Sequence, residues 1–257
     1  MTDIQFFKNL HQGESPVFIG NVWNVQSAKV YEELGYKALA TSSSAVAKSL
    51  GYEDGEQMSF DEYFYMIQRI SQCTSVPLSV DLESGYGKTA ADIVDNIKRL
   101  SKIGVVGINI EDSAVIDGIR TFSDLDVFSD KLKVIISQLE QSGIEMFINV
   151  RTDPFLLNVD NALHETLQRI KVFEEICVDG IFVPCITSES DIKQIVDSTN
   201  LPLNVMCMPE LPDFEVLANL GVKRITAGNF LNGYIYQNLK NINQAISSEK
   251  SFSPVFL

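Results

Sequence analysis

Eight short apolar runs, most of them followed by a stretch with helical spacing, constrain what this chain of 257 residues can fold into. The runs are Val17–Gly20, Lys37–Thr41, Pro77–Asp81, Val105–Ile110, Glu145–Val150, Gly180–Pro184, Leu203–Met206 and Arg224–Ala227. Brief apolar runs bounded by turn residues read as strands buried on both faces. Between them, Ser59–Cys73 opens on a capping serine and places Phe60, Tyr63, Phe64, Ile67 and Ile70 at helical steps. Thr89–Ile103 repeats the pattern with Ile93, Val94, Ile97 and Leu100 and stops at Gly104. Ser123–Ser142, Asp160–Cys177, Ser188–Ser198 and the shorter Asp213–Leu220 also read as helices. Buried strands alternating with helices imply a parallel sheet joined by crossovers. Eight such units in this length predict an α/β fold of the closed (β/α)8 barrel type, with residues 1–257 forming a single domain. A doubly wound open sheet is the alternative, but its glycine-rich dinucleotide fingerprint is missing.

A barrel of this kind builds its active site where the strands end. In this chain those ends read Asn21-Val22-Trp23, Thr41-Ser42-Ser43-Ser44, Asp81-Leu82-Glu83, Glu111-Asp112, Arg151-Thr152-Asp153, Pro184-Cys185, Met206-Cys207-Met208 and Gly228-Asn229. Acidic and polar groups collect there with an arginine, which points to one shared site rather than eight unrelated loops. Side chains two apart on a strand share a side, so Asp81 and Glu83 are expected to converge. With Glu111 they make an oxygen-rich set suited to Mg²⁺, with Mn²⁺ as an alternative, directly or through water. Of the neighbours Glu111 and Asp112 only one can face the barrel axis, and Glu111 is assigned there; Asp112 reads as a cap or a loop salt bridge. Arg151 offers a planar fork for a substrate carboxylate or phosphonate, or else pairs with Asp153. Ser42, Ser43 and Ser44 precede a short helix over Ala45–Leu50, whose start can cradle an anion or an enolate. Asp54, within Gly51-Tyr52-Glu53-Asp54-Gly55, sits on a turn-rich loop able to fold over the site. Asn149, Asn204, Cys207 and Asn229 stand where substrate choice would be decided.

A formal net charge of −14 argues against nucleic acid or an anionic membrane as partner, while an anionic substrate remains compatible with a local cation and an arginine. The first seven residues carry no signal-peptide pattern, and no apolar run approaches the roughly 20 residues that cross a bilayer. Cys73, Cys177, Cys185 and Cys207 lack paired metal-ligand spacing and read as reduced thiols, consistent with a cytoplasmic protein. With only His11 and His164, a histidine-rich zinc site is not expected.

Several motifs in order resemble the isocitrate lyase/phosphoenolpyruvate mutase superfamily, in its short-chain carboxyvinyl-carboxyphosphonate phosphorylmutase-like, oxaloacetate decarboxylase-like branch. They are Ala40-Thr41-Ser42-Ser43-Ser44, the run from Ser49 to Glu56, Asp81–Gly87, Gly104–Asp112 and Asn149-Val150-Arg151-Thr152-Asp153. The resemblance spans about Phe6 to Asn229. It implies a barrel whose last helix, over Leu231–Ile246, is swapped between subunits, so that residues 229–257 lie at a subunit interface of a homodimer or homotetramer. The apolar tail Phe252-Ser253-Pro254-Val255-Phe256-Leu257 would then meet a partner surface. It further implies that Asp81 ligates Mg²⁺, with Glu83, Glu111 and Asp54 nearby or acting through water. Ser43 and the backbone of Ser44 and Ala45 would hold a pyruvate-like enolate, and Arg151 would contact the departing group. The implied activity is cleavage at C3 of a small 2-oxo or 2-hydroxy carboxylate, such as decarboxylation of oxaloacetate. Phosphonopyruvate mutase or hydrolase chemistry and a non-catalytic oxo-acid-binding barrel are the alternatives. The chain departs from the isocitrate and methylisocitrate lyases at Ser113–Thr121, where their Lys-Lys-Cys-Gly-His stretch is absent. The lysine-bearing loop of the phosphonopyruvate enzymes is missing too, unless Arg120 substitutes for it. Asn24 stands where many relatives have aspartate.

Overall fold

The computed structural model describes residues 2–256; Met1 and Leu257, the ends of the predicted single domain and its apolar tail, lie outside the described residues. The helices are α1 (Asp3–Leu10), α2 (Val25–Glu33), α3 (Ser43–Leu50), α4 (Phe60–Cys73), α5 (Ala90–Lys102), α6 (Leu125–Gln141), α7 (Ala162–Glu175), α8 (Glu189–Ser198), α9 (Phe214–Leu220) and α10 (Phe230–Glu249). The strands are β1 (Val17–Val22), β2 (Leu39–Thr41), β3 (Leu78–Asp81), β4 (Val105–Glu111), β5 (Ser113–Ile116), β6 (Ile119–Phe122), β7 (Phe147–Arg151), β8 (Gly180–Phe182), β9 (Leu203–Met206) and β10 (Arg224–Thr226). Eight of these close a parallel barrel in the order β1-β10-β9-β8-β7-β4-β3-β2. The expected (β/α)8 barrel is therefore the fold, with strand ends displaced from the predicted bounds by at most two residues.

Sequence chemistry explains the helix starts. Ser59 caps α4 and Glu62 bonds back to the Ser59 backbone, while Thr89 and Asp92 repeat the exchange at α5. The outer faces of the strands and the inner faces of the helices form one apolar shell that includes Val80, Ile93, Ile97, Ile108, Phe128, Phe173, Ile181 and Ile195. A smaller cluster of Phe7, Ile19, Ala38, Ala40, Val106 and Phe147 fills the base of the barrel. Helix α1 supplies it: the Phe7 ring meets Phe147 edge-on at 5.3 Å and His11 stacks on Phe147 at 4.4 Å. Gly107 makes room, because a Cβ there would lie 3.2 Å from the Phe7 ring and 3.1 Å from Ser79 Oγ.

Above this plug the barrel interior is polar, where branched aliphatic side chains usually dominate. Asn149 Nδ2 donates to Asn109 Oδ1 at 2.9 Å and, more weakly, to Asn204 Oδ1 at 3.3 Å. Asn204 Nδ2 in turn donates to the Val205 carbonyl at 2.8 Å.

Helices α1 and α2 were not expected from the sequence, nor was an antiparallel hairpin, β5–β6, standing on the end of β4. Its turn is Asp117-Gly118, both with positive φ (51° and 79°) as a two-residue hairpin turn requires. Helix α10 leaves Phe230, Leu231, Tyr234, Ile235, Tyr236 and Leu239 exposed, and among its described residues only Asn232 is buried.

Asp112 is fully buried at the junction of these parts. It accepts the Thr152 hydroxyl at 2.5 Å, the Asp153 N–H at 3.2 Å and Arg169 Nη1 of α7 at 3.1 Å. The salt-bridge reading of this residue therefore holds, and the bridge is internal. Removing one partner of a buried ion pair leaves the other charge uncompensated. Asp112→Ala should lower unfolding free energy by about 3 kcal/mol in urea titrations, at the low end for such pairs because Glu165 still contacts Arg169 at 2.8 Å.

Candidate active site

The C-terminal ends of the strands surround a cavity of about 250 Å³ lined by Asn21, Thr41, Ser42, Ser43, Ser44, Asp54, Asp81, Asn109, Arg120, Arg151, Phe182 and Asn229, among others. It is smaller than the roughly 300–1,000 Å³ typical of drug-sized ligands, and so suits a small acid. Larger cavities lie at the barrel base beside His11 and between α2 and α10, but neither gathers carboxylates, guanidiniums and a helix start in one place.

Asp81 is the best-anchored residue of the set. Its backbone N–H donates to Thr41 Oγ1 at 3.0 Å, and its carbonyl accepts the Tyr63 hydroxyl at 3.0 Å. Thr41 and Tyr63 are joined at 2.5 Å, which closes the loop of bonds. Its side-chain Oδ2 accepts Ser43 Oγ at 2.7 Å, while Oδ1 is buried with no hydrogen-bond partner. Asp54 Oδ1, lining the same cavity, is in the same condition. Burial, then the charge of Asp81, pushes the Asp54 carboxyl above its ordinary pKa. Two buried, open carboxylate oxygens that repel each other across a small cavity are the donor chemistry a hard divalent cation satisfies. The fit is to an oxygen-ligand ion completed by water, because among the described residues no three His, Cys, Asp or Glu side chains form a ready metal cluster.

The structure does not bring Glu83 and Glu111 to the cavity wall beside Asp81. Strand β3 stops at Asp81, and Glu83 has φ 50°, so the two-residue alternation ends before Glu83 is reached. Both Glu83 oxygens are engaged, by the Glu56 N–H at 3.0 Å and the Tyr86 hydroxyl at 2.7 Å. Burial, then the charge of Asp54, pushes its pKa up to about 8. Glu111 is gripped by Arg120 and, at 3.0 Å, by Arg151 Nη1. Burial raises its carboxyl despite those partners.

Arg151 lines the cavity and also makes the Asp153 pair weighed for it, with Nε to Oδ1 at 2.7 Å and Nη2 to Oδ2 at 3.1 Å. Burial opposes its charge, but Glu111 and Asp153 hold its pKa well above the usual value. Ser42 caps α3, accepting the Ala45 N–H at 3.4 Å, and Ser44 Oγ accepts Asn229 Nδ2 at 3.1 Å. Ala45 is fully buried behind the serines, and Asn149 and Asn204 lie one layer beneath the cavity, where Asn109 takes the lining position.

Arg120 is the principal residue whose placement the sequence left open. Hairpin β5–β6 carries it inward, where it bonds Glu111, reaches Ser113 Oγ at 2.9 Å and lies 3.7 Å from Asp54. The Asp-Gly step between two β-branched stretches was the available signal for that hairpin. The Asp54 loop packs directly on it: Gly55, at φ 97°, is so close to Val115 that a Cβ would sit 2.5 Å from its side chain.

A parallel (β/α)8 barrel with acid, guanidinium and serine groups at the strand C-termini has the layout of a small-molecule enzyme. The model of the phosphoenolpyruvate phosphomutase family matches residues 7–247, and the chain belongs to that family. It is 28% identical over 225 residues to an oxaloacetate decarboxylase of Paraburkholderia xenovorans (strain LB400), covering 84% of this chain and 73% of that protein. Over 199 residues it is 27% identical to 2-methylisocitrate lyase of Escherichia coli (strain K12), covering 74% and 64% of the two chains. A crystal structure of a candidate phosphonomutase from Burkholderia cenocepacia J2315 superposes with a TM-score of 0.88 at 33% identity, covering 94% of this chain and 99% of that one. The relatives are thus lyases and mutases, which gives the resemblance seen in the motifs an independent footing.

Because Ser43 holds one Asp81 oxygen, it fixes where the other points. Ser43→Ala should leave thermal unfolding within a few degrees of wild type and weaken binding of oxalate, a stand-in for the pyruvate-like enolate that the resemblance implies, by about tenfold, the scale of one hydrogen bond to a charged group. Calorimetric titration checks this.

Proposed function

We propose that the protein is a divalent-metal-dependent lyase-type enzyme acting at C3 of a small 2-oxo or 2-hydroxy carboxylate through a pyruvate-like enolate, with oxaloacetate decarboxylation as the leading reaction. The observation that carries this reading is Asp81, held at both backbone atoms and at Oδ2 while its buried Oδ1 stands unpartnered in the cavity. Asp81 and Asp54 would hold the cation, Mg²⁺ or Mn²⁺, with Glu83 and Glu111 acting behind them. When bound, such an ion polarises the 2-oxo group and stabilises the charge that develops on its oxygen.

The chain's own groups do the rest. Ser44 and the N–H groups at the start of α3 would place donors around the enolate oxygen and the C1 carboxylate, while the Ser43 hydroxyl, donated to Asp81, orients that aspartate's carboxylate. Arg151, braced by Asp153 and Glu111, presents its remaining edge to the group on C3. Arg120 stands beside it. For oxaloacetate, the C3–C4 bond breaks, its electron pair enters the enolate, the C4 carboxylate leaves as carbon dioxide, and C3 is then protonated. Phe182 and Leu156 at the wall help to exclude water from this step.

Phosphonopyruvate chemistry is the second reading, favoured by the 33% identity to the candidate phosphonomutase and by the paired guanidiniums, whose forks match a phosphonate as well as a carboxylate. We also propose that the chain is one barrel domain whose exposed α10 face packs on a second copy. Molar-mass measurement in solution showing a dimer or tetramer would bear this out, and a monomer would refute it.

Proton NMR of the purified protein with oxaloacetate, phosphonopyruvate, 2-methylisocitrate and isocitrate, with and without Mg²⁺, tests the activity. Metal-dependent pyruvate above the metal-only background, lost in Asp81→Ala, is the expected result. Retained oxalate binding with no turnover of any compound would instead describe a binding barrel. Arg151→Lys should cut kcat by at least about tenfold despite keeping the charge, because the planar fork that engages Asp153 and Glu111 together is lost. Unchanged turnover would assign Arg151 to structure.

A further inference from the structure

Arg224 begins β10 and is 1% exposed. Strand β4 stands diametrically opposite β10 in the barrel, yet Arg224 Nη2 lies 3.4 Å from Asn109 Oδ1 on β4. The side chain therefore spans the barrel interior, and its end reaches the floor of the active-site cavity, which Asn109 lines. Asn109 is also the register partner of Asp81 across β3 and β4.

As a packing element this arginine is a poor choice. Its Nε and Nη1 are buried without a hydrogen-bond partner, and among the described residues no carboxylate lies within ion-pair distance of it. Unsatisfied buried donors and an uncompensated buried charge both cost stability, and a branched aliphatic would fill the space without either. Burial lowers the Arg224 pKa to about 10, opposed by the charge of Asp81, so the group stays cationic at neutral pH. Below it, His11 is neutral: burial, then Arg224, pulls its pKa down to about 3, and its Nδ1–H donates to the Phe7 carbonyl at 2.9 Å. The charge is thus directed at the acids above it. Asp54, Asp81, Glu83, Glu111 and Asp153 are grouped there, with Arg120 and Arg151 as their contacting cations.

We infer that Arg224 is a positioning residue that acts through charge: a buried counter-cation beneath Asp81 that limits how tightly the pocket holds a divalent cation. It rests on the reading of the pocket as a metal site. Fixed at the barrel axis, it supplies positive charge that no solvent ion can replace, and it favours anionic substrate while opposing permanent capture of the metal.

The test is Mn²⁺ binding alone, followed by electron paramagnetic resonance, on wild type, Arg224→Gln, Arg224→Met and Arg224→Lys, each checked for folding by circular dichroism. Losing the charge should tighten Mn²⁺ binding by about tenfold in either neutral variant, whereas the lysine variant should stay near wild type. A structural role predicts the opposite, since a loosened barrel binds metal more weakly. Either neutral variant, folded and binding Mn²⁺ no more tightly than wild type, would overturn the inference alone. A wild-type protein that binds no Mn²⁺ would overturn it together with the metal reading.

Discussion

Repulsion among carboxylates crowded into the barrel mouth is the constraint on which the rest of the site depends. Asp54, Asp81, Glu83, Glu111 and Asp153 cannot all be charged in one dry volume unless something offsets them. The structure distributes the relief. Asp153 and Glu111 share the guanidiniums of Arg151 and Arg120, and Glu83 takes a tyrosine hydroxyl and a backbone N–H. Asp81 and Asp54 are each left with one oxygen unspent. The electrostatics thereby sort five chemically similar side chains into acids with paired oxygens and two acids with an open one, and they do so by position rather than by residue type.

The cover over the site obeys the same logic. The hairpin β5–β6 brings Arg120 down onto Glu111, and the Asp54 loop fits against the hairpin at Gly55 and Val115. Moving either element would break ion pairs inside the cavity, so the cover and the acid set are mechanically coupled. Substrate with two anionic groups offers Arg120 and Arg151 new partners, which is where an incoming dicarboxylate or phosphonate would compete with Glu111 for them.

Much of this architecture was legible in the chain. Apolar runs such as Val105–Ile110 and capped helices such as Ser59–Cys73 specify the barrel because each local signal agrees with the global one. The strand-end rule collects Ser43, Asp81 and Arg151 around one cavity, and the turn-rich loop after α3 adds Asp54 to it. What failed was the geometry just past a strand end. Alternation predicts that Glu83 joins Asp81, but a left-handed residue at 83 turns the chain, and no periodicity reports that. Asn149 and Asn204 were placed at the substrate for a related reason, since a strand pattern gives the face of the sheet and not the depth within the barrel. Arg224 was invisible as a functional residue, because an arginine at a strand start reads as a surface cation until the opposite wall is known.

That polar depth is the feature that separates this barrel from one built for stability alone. Asn109, Asn149, Asn204 and Arg224 occupy volume that leucine or valine would fill with greater gain in hydrophobic burial. Their bonds run across strands, linking β4 to β7 and β10 and β7 to β9, so the floor of the pocket is fixed by a network rather than by one strand. A rigid floor keeps Asn109 in register with Asp81, and it carries a permanent charge to a depth solvent does not reach. Stability is surrendered in the barrel axis in exchange for a pre-set field at its mouth, the arrangement that electrostatic catalysis requires of its scaffold.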